Sequence, residues 1–496
     1  MNDPEPNAGS DAVPGNAADP RAAEQRGREL VSGAAPDSEA FAEGLALIEA
    51  SARAGWVDGQ LLLGHLLSQY PGLPDAATRA RENYRAAAQQ GHPEACLRLA
   101  DVNLFGYGGP VDDGAALAQL DGLAAAGYSA ALTQLALLRS HGIGCEADDG
   151  AATDLILQAA AQGDTLAFAL LTERYLEGQG VPARPDLAWA WLDLACRRGF
   201  PAAERRRAQL SGRLTDAQRQ AGDAWAQRLM DTIRGLGQAV TAITVPESDP
   251  GFPAAFQACV RRQFLTLQEP ALSFSSAERG SDGPLPRPRP MLKPLCWNPR
   301  VFAADAFLNH EERLHVLGNA AGSLVSTEDA RRDSKVVEID EFEGECAVFG
   351  PHLVTPVVRV VQRRWAQVLQ ISEQHFEPMS VLRYREGHQY APHVDYFDSA
   401  RMAVHRGQGD RGGQRLVTAL VYLVAPEAGG ETVYCHGGPT IAGADGSAVV
   451  HYNVTVEGLP DDASLHEGTA ITAGEKWLCR TAVRERNLFG AQETVI

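Results

Sequence analysis

Glycine returns every 36 residues across the first part of this chain. Gly55, Gly91, Gly127, Gly163 and Gly199 form one series, Gly106, Gly142 and Gly178 a second, and Gly72, Gly108, Gly144 and Gly180 a third. A repeat of about 20 to 50 residues is the mark of a solenoid, in which each unit buries its apolar face against its neighbours. A small residue recurs four positions after the first series, at Gly59, Ala95, Ala131, Ala167 and Ala203. A leucine recurs eight after it, at Leu63, Leu99, Leu135 and Leu171. This reads as one helix pair per repeat. The first glycine series ends the second helix, because glycine enters the left-handed conformation cheaply. The small residue lets the next helix come close, and the leucine fills the seam. The other glycines are read as loosening the turn inside each pair, as in FGYGGPVDD and HGIGCEADD. Arg207 stands where the last repeat should carry its leucine, which suggests a capping unit. Trp189 and Trp191 are assigned to helix packing.

Around this array the texture divides the chain. Residues 1–36 are rich in Ala, Pro, Asp, Gly and Asn without a period and read as a disordered tail. The array occupies 37–240, with 213–240 one amphipathic closing helix. Residues 241–295 read as a linker, crowded with Ser, Gly and Pro near 275–295 and carrying a short helix near 253–268. From 296 to 496 a second domain opens with FLNHEERLHVLGNAAG, a helix capped by Asn309. Short β-type runs follow, PMSVLRYR, LVTALVYLV, ETVYC, GSAVVHYNV, TAIT and WLCRTAVRE, separated by turn residues. Such runs form a sandwich or barrel. The fold class is therefore multidomain: an α-helical solenoid followed by an α+β domain.

Charge and cysteine usage narrow the function. Lys+Arg 44 against Asp+Glu 63 gives −19, which argues against nucleic acid, whose phosphates need a basic face. No apolar run reaches 18 residues, so no membrane span is expected. The start, MNDPEPNAGSDAVPG, lacks the apolar core of a secretory signal. The eight cysteines are scattered and none forms CxxC, which suits reduced thiols in a cytoplasmic protein better than disulfides or zinc.

The chemistry sits in YREGHQYAPHVDYF. His393 and Asp395 form an H-x-D unit, and on a strand residues two apart share a face. A third ligand is needed. His466, in DDASLHEG, would complete two imidazoles and one carboxylate, an arrangement suited to non-haem Fe(II) with open positions. His451, His436, His388 and His405 compete for that role. His466 is preferred because Lys476, in AGEKW, follows it by ten residues and could reach the same pocket to bind a carboxylate.

Taken together, the H-x-D unit, a Tyr nine before its histidine, GGET after a strand, S-x-H-x-G and the lysine at +10 resemble the prolyl 4-hydroxylase branch of the Fe(II)/2-oxoglutarate dioxygenases. The 36-residue units resemble Sel-one-like repeats of the tetratricopeptide type. The first resemblance implies a double-stranded β-helix, or jelly roll. It also implies Fe(II) on His393, Asp395 and His466, with 2-oxoglutarate and O2 as cosubstrates and ascorbate as a further small molecule. It assigns Lys476 to the distal carboxylate of 2-oxoglutarate and Tyr384 to the cosubstrate pocket, with Thr418 and Tyr422 lining it. Gly429, Gly430 and Thr432 match a structural turn. Ala482 departs from the tryptophan usual there, and His451 and Tyr452 from the usual aromatic pattern. The expected activity is hydroxylation of a prolyl or other residue of a protein or peptide held by the repeats. The rivals are an inactive repeat scaffold and a hydroxylase of a free small molecule. The array supplies surface and no ligands, so its removal should weaken substrate binding and leave the pocket working.

Overall fold

A computed structural model describes residues 19–32, 34, 38–70, 73–238, 291–327, 342–349, 355–407, 412–486 and 488. The described part of the first half is helical: α1 (Pro20–Val31), α2 (Glu39–Arg53), α3 (Val57–Gln69), α4 (Ala76–Gln89), α5 (Pro93–Phe105), α6 (Asp113–Ala125), α7 (Ser129–His141), α8 (Asp149–Ala161), α9 (Thr165–Glu177), α10 (Pro185–Arg197), α11 (Ala203–Ser211) and α12 (Asp216–Gln238). From α1 to α11 each helix packs on the next, as a solenoid requires, and α12 packs back on α10. The seam leucines are buried, and Ala95, Ala131 and Ala167 are wholly so. The first glycine series lies in the left-handed region, with φ between +68° and +85°.

The remaining glycines correct the sequence reading. Gly106, Gly142 and Gly178 are the left-handed caps that end α5, α7 and α9. Gly108, Gly144 and Gly180 lie against the preceding unit. A Cβ there would come within 2.1, 2.8 and 2.2 Å of the backbone oxygens of Ala77, Asp113 and Asp149. These turns are pressed onto their neighbours, not loosened. The tail reading of 1–36 also fails in part. Asp19 caps α1, Pro20 opens it, and Gly27 lets it cross closely over Gly44 and Ile48 of α2. Residues 1–18 lie outside the described part. Trp191 stacks on Phe168 at 5.7 Å, and Trp189 Nε1 donates to Asp223 of the closing helix α12 at 2.8 Å. Both tryptophans are packing residues, and Arg207 pairs with Asp193 and Glu204 at the array's end.

Of the expected linker, 241–290 lies outside the described residues, as does the helix near 253–268. Its last residues are not linker: β1 (Lys293–Trp297) already pairs with β2 (Arg300–Ala304). Helix α13 (His310–Ala321) follows, capped by a reciprocal Asn309–Glu312 box as expected. Next come β3 (Val325–Ser326), β4 (Glu345–Phe349), α14 (Pro356–Leu369), β5 (Met379–Tyr384) and β6 (Tyr390–His393). After a short helix (Ser399–Gly407) the chain continues through β7 (Arg415–Val424), β8 (Ala428–Gly429), β9 (Thr432–Tyr434), β10 (Thr440–Ile441) and β11 (Ala448–Tyr452). It ends in β12 (His466–Gly468), β13 (Ile471–Ala473) and β14 (Lys476–Arg484). One sheet runs β1-β2-β11-β7-β14-β5-β4-β3, another β10-β9-β12-β6, and β8 pairs with β13. All the pairs are antiparallel. Tyr384, Leu420, Tyr422, Val449 and Leu478 of the large sheet share one apolar cluster with Tyr434 and Ile471 of the smaller ones. The domain is therefore a sandwich, with a layer of side chains between its sheets.

The opposite face of the large sheet, with Val381, Val417, Val421 and Cys479, is covered by Val316 and Leu317 of α13 and Val358, Val361 and Trp365 of α14. The same apolar cluster runs on into Leu135, Ala136, Phe168 and Leu170 of the array. Helix α13 packs on α9, and α14 on α5 and α7. Gly318 lies so close to Leu166 that an added Cβ would stand 3.1 Å from it. Buried ion pairs cross the joint: Arg174–Glu311 at 2.6 Å and His141–Glu312 at 2.7 Å. The first helix of three successive pairs thus spends its face on the catalytic-type domain itself. Removing the array would strip an apolar layer from α13 and α14.

Candidate metal centre

Two histidines meet across a strand pair. His393 ends β6, and His466 opens β12 directly opposite it. The carboxylate arrives differently from the sequence expectation. Asp395 lies two residues beyond β6, so a turn and not strand alternation swings it toward the imidazoles. The three ligand-type atoms lie within 4.8 Å of one another, and this is the one such group of His, Cys, Asp and Glu found among the described residues. All three residues are buried.

Hydrogen bonds fix how these side chains face the centre. His393 Nδ1 lies 2.8 Å from the carbonyl oxygen of Ala391, and His466 Nδ1 lies 2.9 Å from that of Ser464. A carbonyl only accepts, so each Nδ1 carries the proton and each Nε2 keeps its lone pair. Tyr390 stacks on His393 with ring centres 3.8 Å apart. Burial, reinforced by the neighbouring His393 and His451, holds the His466 pKa well below its ordinary value, so its imidazole is neutral. For Asp395, burial alone would raise the pKa. Arg480 and the His451 hydrogen bond outweigh it and hold the carboxyl well below the usual range. Two imidazoles that turn Nε2 toward the centre and an ionised carboxylate make the facial donor set that non-haem Fe(II) takes, and the residues fit that ion.

Lys476 opens β14 opposite Tyr384 of β5. Its ammonium is buried, donates to the carbonyl oxygen of Gly430 at 2.7 Å, and lies 5.2 and 5.3 Å from the rings of Tyr384 and Tyr422. Among the described residues no carboxylate stands within 4.0 Å of it. Burial lowers its pKa to about 8, which Glu431 only partly offsets. A buried cation with no carboxylate in direct contact, beside a donor triad, has the chemistry to pair with a carboxylate ligand. Tyr422 is held by a 2.8 Å hydrogen bond to Thr432. Thr418 is not brought to Lys476: it sits four residues along β7 from Tyr422, beside His451, and accepts from Asn453 Nδ2 at 3.0 Å. Gly429 and Gly430 both turn with positive φ, as a tight connection requires.

Of the rival histidines, His436 is exposed and His388 accepts from the backbone of Arg385. The side chain of His405 lies outside those described. His451 is the surprise. It is fully buried, its ring centre 4.5 Å from that of His466, and its Nε2 points at Asp395 Oδ2 at 3.2 Å. Arg480 reaches the other carboxylate oxygen at 2.8 Å. The sequence reading weighed His451 as a rival ligand and as a departure from an aromatic pattern, and passed over Arg480. The signal for Arg480 was its spacing: residues 476, 478, 480 and 482 share a face of β14.

Comparison with known proteins agrees with this geometry. Residues 379–484 match the 2OG-Fe(II) oxygenase superfamily, and 57–92, 93–118, 129–164 and 166–200 match the Sel1 repeat. The probable prolyl 4-hydroxylase 7 of Arabidopsis thaliana is 30% identical over 202 residues, 37% of this chain and 62% of that protein. Prolyl 4-hydroxylase 1 of the same plant is 30% identical over 209 residues, covering 39% and 71%. This chain thus spans less than two thirds of the first and more than two thirds of the second. A viral collagen prolyl hydroxylase from Paramecium Bursaria Chlorella virus-1, solved as its 2OG complex, is 26% identical. It covers 37% of this chain and 95% of that one, with a TM-score of 0.29.

Proposed function

We propose that this chain, which belongs to the 2OG-Fe(II) oxygenase superfamily alongside the prolyl 4-hydroxylases, hydroxylates a prolyl or other residue of a protein or peptide. Fe(II), 2-oxoglutarate and O2 are its cofactor and cosubstrates, with ascorbate as an added reductant. The observation that carries this reading is the buried His393–Asp395–His466 triad beside a buried Lys476. When bound, Fe(II) and 2-oxoglutarate supply the O2 chemistry that places oxygen on a substrate carbon and leaves succinate and CO2. The chain does the rest. Backbone carbonyls aim the two Nε2 atoms, and Asp395 supplies the single negative charge of the donor set. Lys476 pairs with the far carboxylate of 2-oxoglutarate, and the Tyr384 and Tyr422 rings wall its ammonium from water. The two-sheet sandwich is read as the double-stranded β-helix, and Thr418 as a wall residue on the Asp395 side.

A protein or peptide substrate held by the repeats would have to use surfaces other than those of α5, α7 and α9 that α13 and α14 cover. That docking favours a second reading, in which a small molecule or free peptide reaches the pocket without the array. Seven described cysteines without disulfides and the acidic balance support a cytoplasmic setting. No helix among the described residues is long and apolar enough to cross a membrane.

Turnover of 2-oxoglutarate to succinate, measured with Fe(II) and with proline-rich peptides or small metabolites, tests the proposal. Peptide-stimulated succinate with a matching hydroxylated residue supports the first reading. Stimulation by a metabolite alone supports the second. His393→Ala and His466→Ala should abolish turnover, and a wild-type chain that makes no succinate under any of these conditions would leave the reading without support.

A further inference from the structure

Asp395 is held at both oxygens. Arg480 donates to Oδ1 at 2.8 Å, and His451 Nε2 stands 3.2 Å from Oδ2. His451 is itself held: its Nδ1 lies 2.9 Å from the hydroxyl of Tyr434. The direction of this chain of bonds follows from chemistry. An ionised carboxylate only accepts, so His451 Nε2 carries a proton. In a neutral imidazole Nδ1 then accepts, and the Tyr434 hydroxyl donates to it. The bonds therefore run Tyr434 O–H to His451 Nδ1, and His451 Nε2–H to Asp395 Oδ2. This order also takes His451 out of contention as a ligand, since its Nε2 lone pair is committed to a proton.

The three residues come from three different places. Tyr434 lies on β9, paired directly with His466, while His451 lies on β11 of the large sheet and Asp395 on the turn after β6. The turn gives Asp395 no ladder of its own, so its carboxylate depends on these side chains for position. With a donor on each oxygen, the carboxylate cannot rotate without breaking a bond.

We propose that His451, oriented by Tyr434, is a positioning residue that fixes the Asp395 carboxylate and thereby sets the affinity of the centre for Fe(II). The inference rests on the metal reading given above. Loss of such an outer partner typically weakens metal binding by about 10- to 100-fold.

The test is titration of the purified full chain with Fe(II) under anaerobic conditions, read by calorimetry, and with Co(II), read by its visible absorption. His451→Phe keeps the volume and removes the donor; it should bind both ions about 10- to 100-fold more weakly and alter the Co(II) spectrum. His451→Gln, which can return an N–H to Asp395, should recover most of the affinity. Tyr434→Phe removes one hydroxyl and should shift affinity in the same direction by less. Tyr434→Phe carries the test should His451→Phe fail to fold. A wild-type chain that takes up neither ion overturns the metal reading and this inference with it. Wild-type binding with unchanged affinity and spectrum in His451→Phe, or in Tyr434→Phe where His451→Phe does not fold, overturns the positioning role alone.

Discussion

Lys476 carries the most exposed assumption at the residue scale. Its free pKa lies at about 8 because burial penalises the ammonium. Pairing with a carboxylate needs the charged form. Below pH 8 that form is already present, and above it binding must take up a proton. The affinity for 2-oxoglutarate should therefore be flat from pH 6 to about 7.5 and fall by up to about tenfold per unit above pH 8. Titration by calorimetry across that range checks it; an affinity unchanged to pH 10 would mean the lysine does not pair with the ligand. The four main site residues were legible in the sequence because their types and spacings are local: H-x-D, then His and Lys ten apart. His451 and Arg480 were not legible as partners of Asp395. Alternation along β14 puts Arg480 on the face of Lys476, but which carboxylate it and His451 meet depends on the register of β11 and β14 against β7.

At the scale of elements, the glycine series were legible as a period, and the first of them as helix ends, but the close packing of the third was not. Gly91 and Gly180 look alike in sequence, and both have positive φ. Nothing stands within 4 Å of a Cβ at Gly91, whereas at Gly180 it would meet the Asp149 oxygen at 2.2 Å. Gly91→Ala should cost about 1–2 kcal/mol, the left-handed backbone penalty alone. Gly180→Ala adds a clash with main chain and should cost about 2–5 kcal/mol in all. Thermal unfolding of the two variants compares them, and equal melting temperatures would contradict the close-packed turn. Helix α1 was hidden by its Ala- and Pro-rich surroundings; what fixes it is contact with α2 through Gly27 and Gly44, a tertiary effect. The sequence reading also has no helix at 356–369, although PVVRVVQRRWAQVL carries apolar residues at helical spacing.

At the scale of the whole molecule, the array and the sandwich form one body joined through α13 and α14. Arg174 is the hub. From α9 it donates to Ser140 on α7, to Thr153 and the Asp149 carbonyl on α8, and to Glu311 on α13. Arg174→Ala leaves Glu311 buried without its partner and should cost about 3–5 kcal/mol. Arg363, which pairs with Asp113 across the same joint, has a side chain 31% exposed. Arg363→Ala should cost at most about 1 kcal/mol. Chemical denaturation read by tryptophan fluorescence orders the two; a larger loss at Arg363 would contradict the buried joint. The central claim, a metal centre with a clamp for 2-oxoglutarate, is tested most directly on this intact chain. The measurement is succinate formation with saturating Fe(II) across a range of 2-oxoglutarate, for wild type and Lys476→Ala. Removing one partner of a buried charge pair costs about 3–5 kcal/mol, equivalent to about 100-fold or more in affinity. The account predicts saturation in wild type and a half-saturating concentration raised by at least about 100-fold in Lys476→Ala, with Fe(II) binding unchanged. Equal half-saturation in the two proteins would contradict it.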